Sequence, residues 1–275
     1  MSNASDRLLQ PERVSKALDA AGWSGPFPTM IMSTESTNAD VVALARAGAP
    51  GYSCVVAEEQ TAGRGRLDRQ WVSPRSGGVW MSVLVPMDRC DRARWTWLPL
   101  LTGLAARDAV VKLTGAAVHL KWPNDLVVDE MLTDGTCALR KVGGVLSEQV
   151  AGMDVAIVGV GINVALSVDE LPTLESTSLL LQGVDVARED LVAQILIELQ
   201  RRVDQLCGGD HHLEEDYRAA CTSFGREVRV ALPGGDELRG TAKDVDADGA
   251  LVVNTPEGNH RTVTAGDVIH ATIAP

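Results

Sequence analysis

The sequence predicts an α+β protein: a mixed central β-sheet flanked by helices, with a small C-terminal SH3-like β-barrel. Three observations carry that expectation. Helical and β-branched segments intersperse up to about Cys221. A nearly all-apolar run at 153–164 reads as a strand buried on both faces. From Arg226 onward only short strands remain, separated by PGGDE, DADG and PEGN turns, which suits a small barrel of four or five strands.

Taken in order, residues 8–21 (LLQPERVSKALDAA) predict one short helix, ended by Gly22. Thr34 or Ser36 caps a second helix that runs to Ala47 and stops at Gly48. Residues 54–60 and 78–86 are β-branched strands on either side of a loop. Residues 95–114 form a long helix, with Trp97, Leu101, Leu104, Ala105 and Val111 at helical spacing. Residues 118–129 read as one strand, because Val118 and Leu120 alternate with His119 and Lys121. Residues 140–150 and 153–164 form a hairpin turning at Ala151-Gly152. Helices at 188–206 and 210–220 complete this part. The expected division is an N-terminal helical segment (1–24), a catalytic unit (25–222) and the barrel (223–275).

Composition narrows the class. The chain is 45% apolar and 23% charged, enough to bury a core and too apolar for disorder. Uncharged stretches such as 95–106 and 155–168 are 12 and 14 residues, short of the roughly 20 needed to span a bilayer. The first residues, MSNASDRLLQPERV, lack the basic head and apolar run of a secretory signal. A cytoplasmic protein with no membrane partner is expected. A net charge of −12 makes duplex DNA a poor partner. Five scattered cysteines without a CxxC pair are expected to be reduced, structural thiols.

Against this acidic background, residues 60–75 (QTAGRGRLDRQWVSPR) carry Arg64, Arg66, Arg69 and Arg75 against the single acid Asp68, a local charge of +3. Gly63 and Gly65 flank Arg64 and allow the backbone to approach a ligand. Guanidiniums with free backbone amides suit a phosphate or carboxylate, and the loop is expected to order only over such an anion. Glu58 and Glu59 precede it, placing two acids beside the basic segment. No GxxxxGK[ST], GxSxG or HExxH motif occurs, and GVGIN at 159–163 lacks the third glycine of a dinucleotide turn. Polar groups gather instead at Ser36-Thr37-Asn38, at Lys121 with Asn124-Asp125, at Arg140-Lys141 before Gly143-Gly144, and at Asn163. Singly each has a bland explanation as cap, turn or solvated lysine. Most lie at the ends of expected core strands, where sites are assembled.

These segments carry a resemblance. STN at 36–38, AEEQTAGRGR at 57–66, Trp71, KWPNDL at 121–126, RKVGGVLSE at 140–148 and GVGINV at 159–164 resemble, in order and spacing, the biotin protein ligases. The C-terminal barrel is also similar to theirs. The DNA-binding domain of the family's repressor members is missing from this sequence, which therefore looks like a ligase-only form.

The resemblance implies a two-step reaction. Biotin and ATP give biotinyl-5′-adenylate and pyrophosphate, and the biotinyl group then passes to a lysine of a biotin carboxyl carrier domain. The first step brings two anions together, so cations must compensate. By similarity Arg64, Arg66, Lys121 and Lys141 supply that charge, with Lys141 bridging the biotin carboxylate and the phosphate. Ser36, Thr37, Asn38 and Gln60, with Gly63, Arg64 and Arg66, would hold biotin against a close wall of Gly144, Leu146, Gly159 and Gly161. Trp71 would cover the adenine, and Lys121, Asn124 and Asn163 would join the arginines and Lys141 on ATP. Asp125 and Asn124 would take Mg²⁺, and Asp125 would also orient or deprotonate the incoming lysine amine. The segment 130–139 lengthens the link between KWPND and Lys141. A monomer or weak homodimer is expected. Lipoate or octanoate ligation is the nearest rival, but an unbranched acyl chain has no use for the STN and Gln60 donors.

Overall fold

The computed structural model describes residues 8–132, 135–232, 236–264 and 266–270. The extreme N-terminus (1–7), the tip of the 130–139 segment (133–134) and the PGG of the PGGDE turn lie outside the described residues. Helix α1 (Pro11–Ala20) begins on a proline, whose preset φ suits the first turn, and buries Val14 and Leu18. Strand β1 (Thr29–Ile31) leads through α2 (Thr37–Arg46) into β2 (Cys54–Ala57), which pairs with β1 in parallel. Strand β3 (Gly78–Pro86) follows, antiparallel to β2.

The helix expected at 95–114 is divided. A 3₁₀ turn covers Arg92–Trp97 and α3 proper spans Leu98–Thr114. Pro99 accounts for the division, because a proline is accommodated in a first helical turn and poorly in a helix interior. The single strand expected at 118–129 is also two, β4 (Val118–Lys121) and β5 (Asp125–Met131), joined by a reversal through the cis Trp122–Pro123 peptide. The two strands pair antiparallel, with Lys121 directly opposite Asp125. Alternation alone could not reveal this, since both halves share one polar-apolar phase.

Strand β6 (Cys137–Gln149) and β7 (Val155–Asn163) form the expected hairpin, with Gly152 at φ +78° in its turn. The 130–139 segment prolongs β5 and β6, pairing Met131 with Cys137. Helices α4 (Arg188–Gly208) and α5 (His212–Ala220) close this part. The mixed sheet runs β1-β2-β3-β7-β6-β5-β4.

Strands β8 (Glu227–Ala231), β9 (Glu237–Val245), β10 (Leu251–Asn254), β11 (His260–Val263) and β12 (Asp267–His270) make a second, antiparallel sheet, ordered β11-β10-β9-β8-β12. Its apolar side is continuous with the main core: Val228, Val230, Leu251 and Val253 belong to the cluster that contains Val14, Leu104 and Leu196. Two indoles also tie the sheets together. Trp97 Nε1 donates to the carbonyl of Ala247 (2.7 Å) and Trp122 Nε1 to that of Gly249 (3.0 Å). Among the described residues no helix is long and apolar enough to cross a membrane.

Two expectations are corrected. Glu58 does not sit beside the basic loop. It is 4% exposed and pairs with Arg188 at 2.8 Å, also accepting from Ser76 Oγ and from the backbone N–H of Leu9. The cysteines are not all reduced: Cys90 and Cys207 form a disulfide across 117 residues of sequence, joining the turn after β3 to the last turn of α4. Spacing carried no sign of it, because the fold alone brings the two sites together.

Cys54 and Cys221 are buried and Cys137 is exposed. Burial raises both buried thiols above their ordinary range, and desolvation with a hydrogen bond to Asp129 raises Cys137 as well. Titration with a thiol reagent is therefore expected to find one slow-reacting group in the native protein. Without reductant it should find three in denaturant, and five after reduction. Five reactive groups in denaturant without reductant would show that no disulfide exists.

Candidate functional site

A cavity of about 1020 Å³ opens on one face of the main sheet, walled by β5, β6 and β7, the basic loop and the edge of the C-terminal sheet at Ala231 and Val268. It stands at the upper end of the roughly 300–1,000 Å³ of small-molecule sites. Ser36, Thr37, Asn38, Gln60, Arg64, Arg66, Trp71, Lys121, Asn124, Asp125, Lys141, Gly144, Leu146, Gly159 and Gly161 all line it. Residues spread over 125 positions of sequence thus share one space.

One end is a hydrogen-bond network at the start of α2. The backbone N–H and Oγ1 of Thr37 donate to Gln60 Oε1 (3.0 and 3.1 Å), and Gln60 Nε2 donates to Ser73 Oγ (2.8 Å). Ser82 Oγ lies 2.7 Å from Thr37 Oγ1 and donates to Asn38 Oδ1 (2.5 Å). Asn38 Nδ2 donates to Glu148 Oε2. Ser36 occupies the N-cap position and lines the cavity, and its side chain makes no capping bond. Ser36, Thr37, Asn38, Ser73 and Ser82 are buried and Gln60 half-buried, and the network's hydrogen bonds fix the orientations of Thr37, Asn38 and Gln60, as recognition of a neutral polar group requires.

The glycines of the wall have specific reasons. A Cβ on Gly159 would meet Asn38 Oδ1 at 2.4 Å, and one on Gly161 would meet the Trp71 ring at 2.6 Å. Gly144 faces Lys141 Nζ and Trp71, each 3.3 Å from its Cβ position. The indole of Trp71 therefore lies on the glycine wall, edge-on to Trp80, with Lys141 Nζ 5.3 Å from its centroid. At that range the ammonium is attracted to the ring face.

The middle of the cavity is cationic. Seven basic side chains among the described residues line it, against two carboxylates, Asp125 and Glu175. Asp125 pairs with Lys141 Nζ and lies 3.8 Å from Lys121 Nζ, so one carboxylate spaces two ammoniums. Arg66 Nη1 donates to Asn124 Oδ1 (3.3 Å) and to the carbonyl of Gly266 (3.2 Å), linking the basic loop to the C-terminal sheet. Arg64 Nη2 pairs with Glu148 Oε2 at 3.1 Å. Lys141 is held on both flanks: Val127 lies opposite it on β5, and its backbone exchanges hydrogen bonds with Glu175 and Thr177 (2.7 and 2.8 Å). The longer 130–139 link thus leaves its presentation intact.

The basic loop carries backbone hydrogen bonds of its own. Gly65 N–H donates to the carbonyl of Arg69 (2.7 Å) and Trp71 N–H to that of Gly63 (2.8 Å). Leu67 adopts φ +54° at its tip and is 60% exposed.

Two expected site residues lie elsewhere. Asn163 is buried outside the cavity lining, where its Nδ2 donates to the carbonyl of Thr177 (2.9 Å). That bond ties the end of β7 to the 176–179 segment. Gly63 lines an adjoining smaller cleft, and its lack of a Cβ admits the Trp71 carbonyl, 2.5 Å from the Cβ position. Sequence reasoning missed Ser82 and Glu148. Both had a signal: Ser82 is polar within an apolar strand, and Glu148 shares the period-two face of Gly144 and Leu146.

The proposed Mg²⁺ ligands fit a metal only in part. Among the described residues no three His, Cys, Asp or Glu side chains converge. Asp125 is engaged by two lysines and Asn124 Oδ1 by Arg66. One carboxylate suits Mg²⁺ that arrives on phosphates and keeps its waters, not a cage made by the protein.

Fold and site define a ligand cavity of enzyme type, with a hydrogen-bonded polar network and a set of basic side chains on its wall. Residues 30–164 match the model of the biotin/lipoate A/B protein ligase family, and 223–271 that of the biotin protein ligase C-terminal domain. The chain is 37% identical over 273 residues to the biotin–[acetyl-CoA-carboxylase] ligase of Mycobacterium tuberculosis (strain ATCC 25618 / H37Rv), covering 96% of this chain and 98% of that one. Its fold is similar to the biotin protein ligase of Aquifex aeolicus in complex with biotin and ATP, at a TM-score of 0.73 and 25% identity over 90% of this chain and 99% of that one. The Leishmania major enzyme in complex with biotinyl-5-AMP is similar at 0.59 and 27%, over 88% and 100%. The chain belongs to the biotin/lipoate A/B protein ligase family.

Proposed function

We propose that the protein activates biotin with ATP to biotinyl-5′-adenylate and transfers the biotinyl group to a lysine of a biotin carboxyl carrier domain. The observation that carries this is the meeting, in one cavity, of the Thr37–Gln60–Asn38 network with Lys141, Lys121 and Arg66. The oriented network receives the neutral ureido ring, and the acyl chain runs along Gly144, Leu146 and Gly161 once the Trp71 indole, which lies on that wall, has moved aside. In the first step a biotin carboxylate oxygen bonds to the α-phosphorus and pyrophosphate leaves. Lys141 and Arg66 offset the charge of the two anions as they approach, which is the main demand of the reaction.

Mg²⁺, carried on the phosphates and touching Asp125, would neutralise part of their charge. In the second step the lysine amine attacks the acyl carbon, AMP leaves and an amide forms. Asp125 is placed to receive the amine proton once the anions have drawn Lys141 away from it. Catalysis is assigned to residues 25–222, with the C-terminal module 223–275 closing the cavity through Gly266 and Val268. The net charge of −12 argues against DNA as a partner.

Pyrophosphate release with biotin, lipoate and octanoate in turn tests the assignment. Release with biotin alone is expected, and release only with lipoate or octanoate would overturn it. Gly161→Ala is expected to place a methyl group on the wall that the acyl chain follows and weaken biotin binding by about tenfold or more, since overpacking costs about 1–3 kcal/mol. Calorimetric titration measures this. Unchanged affinity would remove Gly161 from the biotin wall.

A further inference from the structure

The cavity does not end at Lys141. Along the sheet, Lys141 lies opposite Val127 and Leu139 opposite Asp129. Side chains on one strand face alternate in steps of two residues, so Asp129 stands about 7 Å outward from the Lys141 row on the same face. Against Asp129, at 3.9 Å, is the guanidinium of Arg226, which lines the cavity.

Arg226 belongs to the residue run entering β8, and its backbone is pinned: its N–H donates to the carbonyl of Ser223 (3.3 Å) and its carbonyl accepts from Ala242 (3.0 Å). Its side chain is 28% exposed while Asp129 is 44% exposed. A long ion pair to an exposed carboxylate holds the guanidinium weakly, and it can exchange that partner for a phosphate in bidentate geometry.

Adenylation creates a need at this position. When the carboxylate oxygen bonds to the α-phosphorus, the bond from that phosphorus to the α–β bridging oxygen breaks. The electron pair stays on the departing pyrophosphate. Lys141 and Arg66 serve the reacting centre, and a leaving group extending one step outward along this face comes within reach of Arg226, which adds to the charge offered by Lys121 and the phosphate-borne metal.

We propose that Arg226, supplied by the C-terminal module, contacts the β- and γ-phosphates of the nucleotide and the departing pyrophosphate. This rests on the ligase reading above and makes the C-terminal sheet a participant in the first half-reaction. It assigns Arg226 no contact with biotin and no part in the transfer step.

The test uses full-length Arg226→Ala and Arg226→Lys. Three quantities are read: the KM for ATP, inhibition by added pyrophosphate, and transfer from presynthesised biotinyl-adenylate to a carrier domain. Arg226→Ala should raise the KM for ATP and weaken pyrophosphate inhibition by about tenfold each, with the Kd for biotin and the transfer rate unchanged. Arg226→Lys should recover part of both losses, because a point charge replaces the fork. A wild-type ATP and pyrophosphate profile in Arg226→Ala would overturn the proposal. So would a parallel fall in biotin binding and adenylate transfer, which would mark a merely structural role. If the wild-type protein itself releases no pyrophosphate with biotin and ATP, the ligase reading falls and takes this proposal with it.

Discussion

Lys141→Ala is expected to slow biotin-dependent pyrophosphate release by about 10²–10³-fold, the range for removing one preorganised charge-stabilising donor. The fold should survive. The side chain is about one-third exposed, so its truncation opens no core cavity. Its backbone bonds to Glu175 and Thr177 do not depend on the ammonium. Asp125 also keeps Lys121 as a neighbour, so no carboxylate is stranded. The effect should fall on kcat, because the interaction strengthens as the two anions meet. Stopped-time pyrophosphate assays alongside thermal melts separate the two consequences. A wild-type rate would remove Lys141 from the catalytic set, and a collapsed melt would make its role structural.

The second large effect is on stability. Arg188→Ala should destabilise the protein by about 3–5 kcal/mol, the cost of leaving a buried charge without its partner. Glu58 and Arg188 are 5% and 7% exposed in their side chains, and the guanidinium also donates to the carbonyl of Gly78 at 3.2 Å. The pair clamps the start of α4 to the ends of β2 and β3, beneath the strand that leads into Gln60 and the basic loop. Replacing both partners, as in Glu58→Leu with Arg188→Met, should recover much of the loss, since apolar groups of similar volume substitute well for a buried pair. Urea unfolding of the two variants measures this. A loss below about 1 kcal/mol for Arg188→Ala would place the pair among ordinary surface bridges.

Periodicity read the β6–β7 hairpin, α4 and the strand-rich C-terminal part well, because each is long or strongly alternating. It failed at 118–129, where the reversal through Trp122-Pro123 leaves the alternation in phase, and at 95–114, where Pro99 separates a 3₁₀ turn from α3. The site was legible from residue types: fixed positive charge at Arg64, Arg66, Lys121 and Lys141, and amide and hydroxyl groups at Thr37, Asn38 and Gln60. What sequence order hides is pairing across the sheet. Glu148 reaches Asn38 and Arg64 from a strand more than 80 residues away, and Glu58 turns from the basic loop towards Arg188. Asn163 also has a partner that sequence order hides. At the end of a glycine-rich strand, it donates to the carbonyl of Thr177, fourteen residues on.

The central claim is that one cavity selects biotin, activates it and delivers it to a protein lysine. The most direct measurement is the intact mass of a biotin carboxyl carrier domain after incubation with this protein, Mg²⁺, ATP and one acid at a time. The expected result is a single biotinyl addition on one lysine, requiring both biotin and ATP. No addition with biotin, together with an addition when lipoate or octanoate replaces it, would contradict the account.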